Sequence, residues 1–143
     1  MRNLISFSFI FIFIVIIIIS LFSFDYSYNE KDIFISSSGF AWPIPNFTAI
    51  SSYFGTRLSP TLHASTFHYG VDIPAKEGTL FIASISGKIV YTGFSGSGGY
   101  TIILENSNVR IVYCHASPDF IVRIGENVEQ GQVIGQVRSI SRL

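Results

Sequence analysis

The chain has 143 residues, enough for one domain around one core, and nine lysines and arginines balance nine aspartates and glutamates. Zero net charge removes the electrostatic footprint expected of a nucleic-acid binder, so no nucleic-acid partner is expected. The single cysteine, Cys114, excludes an internal disulfide; in an extended strand it points away from Tyr113 and His115 and reads as a small buried hydrophobe, with a free nucleophile as the other reading.

The first element is an apolar run over residues 4–24, interrupted only by serines. At about 1.5 Å per residue it makes a helix of roughly 30 Å, the thickness of a bilayer core. Its end, Ser20-Leu-Phe-Ser-Phe-Asp25, offers no small-x-small cleavage site, so an uncleaved signal anchor is favoured over a removed signal peptide. Arg2 precedes the run, while Asp25, Glu30 and Asp32 follow with only Lys31 against them. That asymmetry places the N-terminus in the cytoplasm and the rest on the extracytoplasmic (periplasmic) side of the cytoplasmic membrane. Residues 25–41 are polar and serine-rich around one short apolar run, Ile33-Phe-Ile35, and read as a tether between the anchor (residues 1–24) and a domain at 42–143.

From Trp42 onward the pattern is all-β. Short apolar or alternating runs at 49–54, 80–83, 88–94, 100–105, 110–115 and 133–137 are separated by Gly, Pro and Asn. Ser95-Gly-Ser-Gly-Gly99 and Asn106-Ser-Asn108 carry the chemistry of turns that join strands into hairpins. Glycines at 125, 131 and 135 surround short apolar pairs and suggest a compact hairpin corner. Such corners also occur in biotinyl and lipoyl carriers, but those present a lysine at the tip and no lysine follows Lys88. With no helical period after the anchor, the expected fold is a compact antiparallel β-sandwich or partly open barrel, preceded by one N-terminal transmembrane helix.

The segment His68-Tyr-Gly-Val-Asp72 carries the chemistry. Imidazole and carboxylate are good zinc ligands, and Gly70 between them allows a turn that faces both toward one ion. A second histidine follows in Tyr113-Cys-His115. A catalytic zinc takes three protein ligands and keeps one position for water, so two ligands leave the site incomplete.

In order along the chain, Trp42-Pro43, Ile50-Ser-Ser-Tyr-Phe-Gly-Thr-Arg57, His68–Asp72, the Gly78–Val90 block, Tyr113-Cys-His115 and the Gly125–Gly135 segment resemble the M23 (LytM-type, lysostaphin-like) zinc endopeptidases over residues 42–137. The resemblance implies that His68 and Asp72 are two of three ligands to one Zn2+ ion. It implies that His115 lies beside the metal and activates or orients water, and that the substrates are peptides cross-linking bacterial peptidoglycan. Arg57 and Tyr113 fit the family pattern too, and each also has a plain role as a salt bridge or in strand packing. Family members continue from a stretch like Gly-Gln-Val-Gly-Ser-Thr-Gly into a His-x-His strand that supplies the third ligand and a catalytic partner. Here Gly135-Gln-Val137 fits, and 138–143 contain no histidine. His63, in the loop before His68, and His115 itself are the remaining candidates for a third ligand. The expectation is therefore an incomplete zinc site in a chain not competent by itself. The sheet would lack a strand, fold marginally, and could be completed by a partner chain. The alternative is a catalytically degenerate module that binds peptidoglycan or regulates a wall hydrolase. The survival of His68, Asp72 and His115 together argues against long decay.

Overall fold

The computed structural model describes residues 33–59 and 65–138. The expected anchor at 4–24, the first part of the expected tether, His63 and residues 139–143 lie outside them. Among the described residues there is no α-helix, and none long and apolar enough to cross a membrane. The fold is all-β, with eight strands in three antiparallel sheets among those residues.

The largest sheet has the order β6-β5-β4-β7: Arg110–Tyr113, Tyr100–Glu105, Gly87–Phe94 and Asn127–Val128. β4 and β5 are joined by a single 3-10 turn at Gly96–Gly98, where Gly96 and Gly99 have positive φ. The β5–β6 turn closes through Asn106, whose Oδ1 accepts the amides of Asn108 and Val109, each at 3.0 Å. Both hairpins follow the turn chemistry of the sequence. β4 is not a simple alternator, because its register against β5 shifts between Ile89 and Tyr91, leaving Val90 exposed on a bulge.

β3 (Leu80–Ile82) pairs with β8 (Val133–Gln136), while β7 pairs with β4. The expected hairpin corner around Gly125, Gly131 and Gly135 is therefore corrected: Asn127-Val128 and Val133-Ile134 go to different sheets, and the segment stitches them together. The two sheets close over one core in which Ile89, Ile102, Leu104 and Ile134 are fully buried. Phe81 stacks on Tyr113 at 5.5 Å between ring centroids, and Ser84 N donates to the Tyr113 hydroxyl at 2.8 Å. Burial holds the Tyr113 pKa above its ordinary value of 10.0, against the lowering effect of hydrogen bonding with Ser84.

Residues 33–41, within the expected tether, pack on the domain. Ile33 and Ala41 join Ile82 and Val133 in a second apolar cluster. Ala41 N donates to Ser84 O, Ile82 N donates to Pro43 O, and Gln130 Nε2 donates to both Gly39 O (2.6 Å) and Ser84 O (2.9 Å). The apolar Ile33-Phe-Ile35 run is what a free tether lacks; burying Ile33 offsets the entropy of ordering the strap.

The remaining sheet is β1 (Gly55–Thr56) with β2 (Phe67–His68), extended by an isolated bridge between Ser52 and Asp72. The run at 49–54, expected as a strand, is irregular backbone with that one bridge, and the pairing starts at Gly55. Its apolar side chains have no core to cover: Tyr53 and Phe54 are exposed.

Candidate metal centre

In an extended strand, residues four apart are separated by roughly 13 Å. The β1–β2 pair shortens that distance by bending. From Gly55 to Ser52 is three residues, while from His68 to Asp72, opposite them, is four. The extra residue bends the second strand at Tyr69 and Gly70. The bend brings His68 Nε2 to 3.3 Å from Asp72 Oδ1. Gly70 does not have positive φ, so its conformational freedom is not what the bend uses. A Cβ there would lie 3.9 Å from His68 Nε2, so glycine leaves the approach to that nitrogen open.

The ring of His68 is fixed from behind. Its Nδ1 lies 3.0 Å from Tyr53 O and 3.3 Å from Ser52 Oγ. A carbonyl oxygen only accepts, so Nδ1 carries a proton, and in the neutral imidazole Nε2 then presents its lone pair. Nε2 faces a carboxylate oxygen at 3.3 Å, a contact that either a proton on Nε2 or a metal cation between the two atoms would satisfy. A tetrahedral zinc with ligand bonds near 2.1 Å separates adjacent donors by about 3.4 Å. The spacing and the donor chemistry fit that ion. Arg57 Nη1 holds the other carboxylate oxygen, Asp72 Oδ2, at 3.2 Å and donates to Ser52 Oγ at 2.5 Å. Arg57 thus takes the salt-bridge role open to it in the sequence, on a candidate ligand.

His115 lies at the end of β6, next to the Gly96–Gly99 turn. It adopts φ +59, a left-handed conformation that costs a non-glycine residue about 1–2 kcal/mol. His115 N donates to Gly98 O at 2.8 Å, and Arg138 N donates to His115 O at 2.9 Å. Its ring is exposed, with Nδ1 against Gly99. His68 and Asp72 are brought together, but among the described residues no group of three His, Cys, Asp or Glu side chains could hold a metal.

Cys114 corrects the sequence reading: it is exposed, because the outer face of β6 that it shares with Val112 is uncovered. Its Sγ lies beside Gly98 and Thr101. Partial burial pushes the thiol pKa above its ordinary value of 9.0, the Asp72 charge adds to this, and a hydrogen bond with Thr101 opposes it. At neutral pH it is a protonated thiol, which disfavours the nucleophile reading. Tyr113 is the strand-packing residue described above. The residues that sequence reasoning missed are Ser52 and the Tyr53 carbonyl. Ser52 lies inside a segment read as a strand, and a backbone carbonyl has no sequence signal.

Residues 66–142 match the model of peptidase family M23. Over 97 residues the chain is 38% identical to the DD-carboxypeptidase/endopeptidase Mpg of Neisseria meningitidis, covering 67% of this chain and 22% of that protein. It is 31% identical over 100 residues to the peptidoglycan DD-endopeptidase ShyC of Vibrio cholerae, covering 68% of this chain and 23% of ShyC. The catalytic domain of the antimicrobial peptidase lysostaphin from Staphylococcus simulans superposes with a TM-score of 0.56 at 38% identity, covering 64% of this chain and 68% of that domain. The chain spans less than a quarter of the length of these two curated relatives.

Proposed function

The chain belongs to peptidase family M23, and from that premise we propose that its domain is a zinc endopeptidase module directed at the peptides that cross-link peptidoglycan. The substrate follows from ShyC and Mpg, whose names specify endopeptidase action and, for ShyC, peptidoglycan. The observation that carries the reading is the His68 Nε2–Asp72 Oδ1 pair, with its lone pairs converging at 3.3 Å and the imidazole tautomer fixed by Tyr53 O.

His68 and Asp72 would hold the ion. Zinc, when bound, lowers the pKa of water toward 7 and polarises a carbonyl oxygen. Arg57 and Ser52 keep the two ligands oriented. To His115, in a left-handed conformation beside the Gly96–Gly99 turn, we assign the role of taking or holding a proton from water. Among residues 33–59 and 65–138 no third protein ligand joins the pair, so those residues by themselves are expected to bind zinc without turnover. Residues 4–24 anchor the domain in the membrane, on its extracytoplasmic side. With the strap docked from Ile33, only residues 25–32 link the two, a span of at most about 28 Å.

The test is zinc affinity and cleavage of cross-linked peptidoglycan peptides by the 143-residue chain and its His68→Ala variant. Zinc binding lost in the variant, with cleavage at background in both, is expected. A family-like rate abolished by His68→Ala would show the site to be complete. Failure of the unaltered chain to bind zinc would overturn the metal reading.

A second reading, wall binding without cleavage, is favoured by rings beside the metal pair. Tyr53, Phe54 and Tyr69 are exposed, and Phe67 packs against Phe54 (5.4 Å) and Tyr69 (4.8 Å). Retention on peptidoglycan sacculi in the presence of a zinc chelator distinguishes it.

A further inference from the structure

Arg57 is expensive to keep where it is. Its Nε is buried with no hydrogen-bond partner among the described residues. Its ion pair involves a carboxylate that is 50% exposed, and such a pair returns little stability. The arrangement therefore has a local cost without a matching gain in folding.

What it gains is a link between the two candidate ligands. A single nitrogen, Arg57 Nη1, reaches Asp72 Oδ2 at 3.2 Å and Ser52 Oγ at 2.5 Å. Ser52 Oγ in turn lies 3.3 Å from His68 Nδ1, on the side of the ring away from the metal position. One side of the site is thus tied through Oδ2 and the other through Nδ1, leaving Oδ1 and Nε2 as the free pair. With Oδ2 engaged, the carboxylate can offer only one oxygen to an ion. The backbone supports this: Arg57 N donates to Thr66 O at 2.8 Å, next to β2, so guanidinium and His68 ride on the same hairpin.

Resting on the zinc reading above, we infer that Arg57 is a positioning residue that presets the His68–Asp72 pair for a single tetrahedral cation and keeps Asp72 a one-oxygen ligand. It acts through Asp72 and Ser52 and need not touch substrate.

The experiment titrates Zn2+ into the 143-residue chain and its Arg57→Ala, Arg57→Lys and Ser52→Ala variants against a chromophoric chelator. It is repeated with Co2+ to record the visible absorption, and each protein is melted without metal. Arg57→Ala is expected to weaken zinc binding by about 10–100-fold, the usual effect of losing an outer-sphere partner. Arg57→Lys, which keeps the charge on a shorter side chain without the planar guanidinium, falls between. Adding Ser52→Ala to Arg57→Ala changes little, because both cut the same tie. The cobalt band of Arg57→Ala weakens as Asp72 swings both oxygens onto the ion and the coordination number rises. A merely structural role would lower the metal-free melting temperature and leave the cobalt band unchanged. Unchanged zinc affinity and an unchanged cobalt spectrum in Arg57→Ala overturn the proposal while leaving the zinc reading intact. Absence of zinc binding in the unaltered chain overturns both. Where Arg57→Ala does not melt cooperatively, Arg57→Lys decides: reduced affinity with an intact melt supports the proposal, and equal affinity rejects it.

Discussion

Tyr113 shows how one side chain can serve the core and carry a polar obligation. Its ring stacks on Phe81, and its hydroxyl is the acceptor for the buried amide of Ser84. Tyr113→Phe keeps the stack and strands that amide, so chemical denaturation should report a loss of about 1–3 kcal/mol. The same burial predicts a pH dependence. The phenol is neutral when protonated, and the fold holds its pKa above the ordinary 10.0. The contribution is fully present below pH 10 and is lost as pH rises through the raised value, since the unfolded chain ionises first. Melting temperatures from pH 8 to 11 should fall on the alkaline side, and less steeply in Tyr113→Phe. A residue in the same strand region, Cys114, was legible only as to direction. Alternation puts it opposite Tyr113, but nothing in the sequence says that this face of β6 stays uncovered.

Among the elements, β4, like β5, is paired on both sides. At its start, Gly87 lies opposite Val128 and close to the β5 backbone. A Cβ there would meet Glu105 O at 2.5 Å and Leu104 Cδ1 at 3.1 Å. Backbone cannot rotate out of the way, so Gly87→Ala forces β4 and β5 apart. A destabilisation of about 1–3 kcal/mol is expected from overpacking, measured by urea unfolding. The hairpins β4–β5 and β5–β6 could be read from the chain because Ser95–Gly99 and Asn106–Asn108 dictate turns locally. The partners of β7 and β8 could not. Their glycine-spaced pairs suit a local hairpin equally well, and long-range burial of Val128 and Ile134 in the core sends them to different sheets.

For the molecule as a whole, the candidate metal pair sits on the smallest sheet, β1–β2, and its bridge extension, outside the main apolar core. Zinc bound to the folded site should therefore add stability that the core does not supply. At a free zinc concentration 100 times Kd, the gain is about 2.7 kcal/mol, provided the unfolded chain binds none. A rise in melting temperature with zinc, absent in His68→Ala while the metal-free melts agree, is the expected outcome. Equal responses in both proteins would place the metal elsewhere.

The sequence by itself determined the all-β class, the two tight hairpins, the family pattern and the meeting of His68 with Asp72. These are written in short-range signals: alternation, turn residues and a motif in which imidazole and carboxylate lie four positions apart. Only the tertiary structure decided that the strap at 33–41 docks, that 122–135 divides between sheets, and that Ser52, Tyr53 O and Arg57 surround the pair. The reason is physical. Each of those outcomes is set by contacts between residues distant in the chain, such as Gln130 with Gly39, or by a backbone carbonyl whose position no residue type encodes.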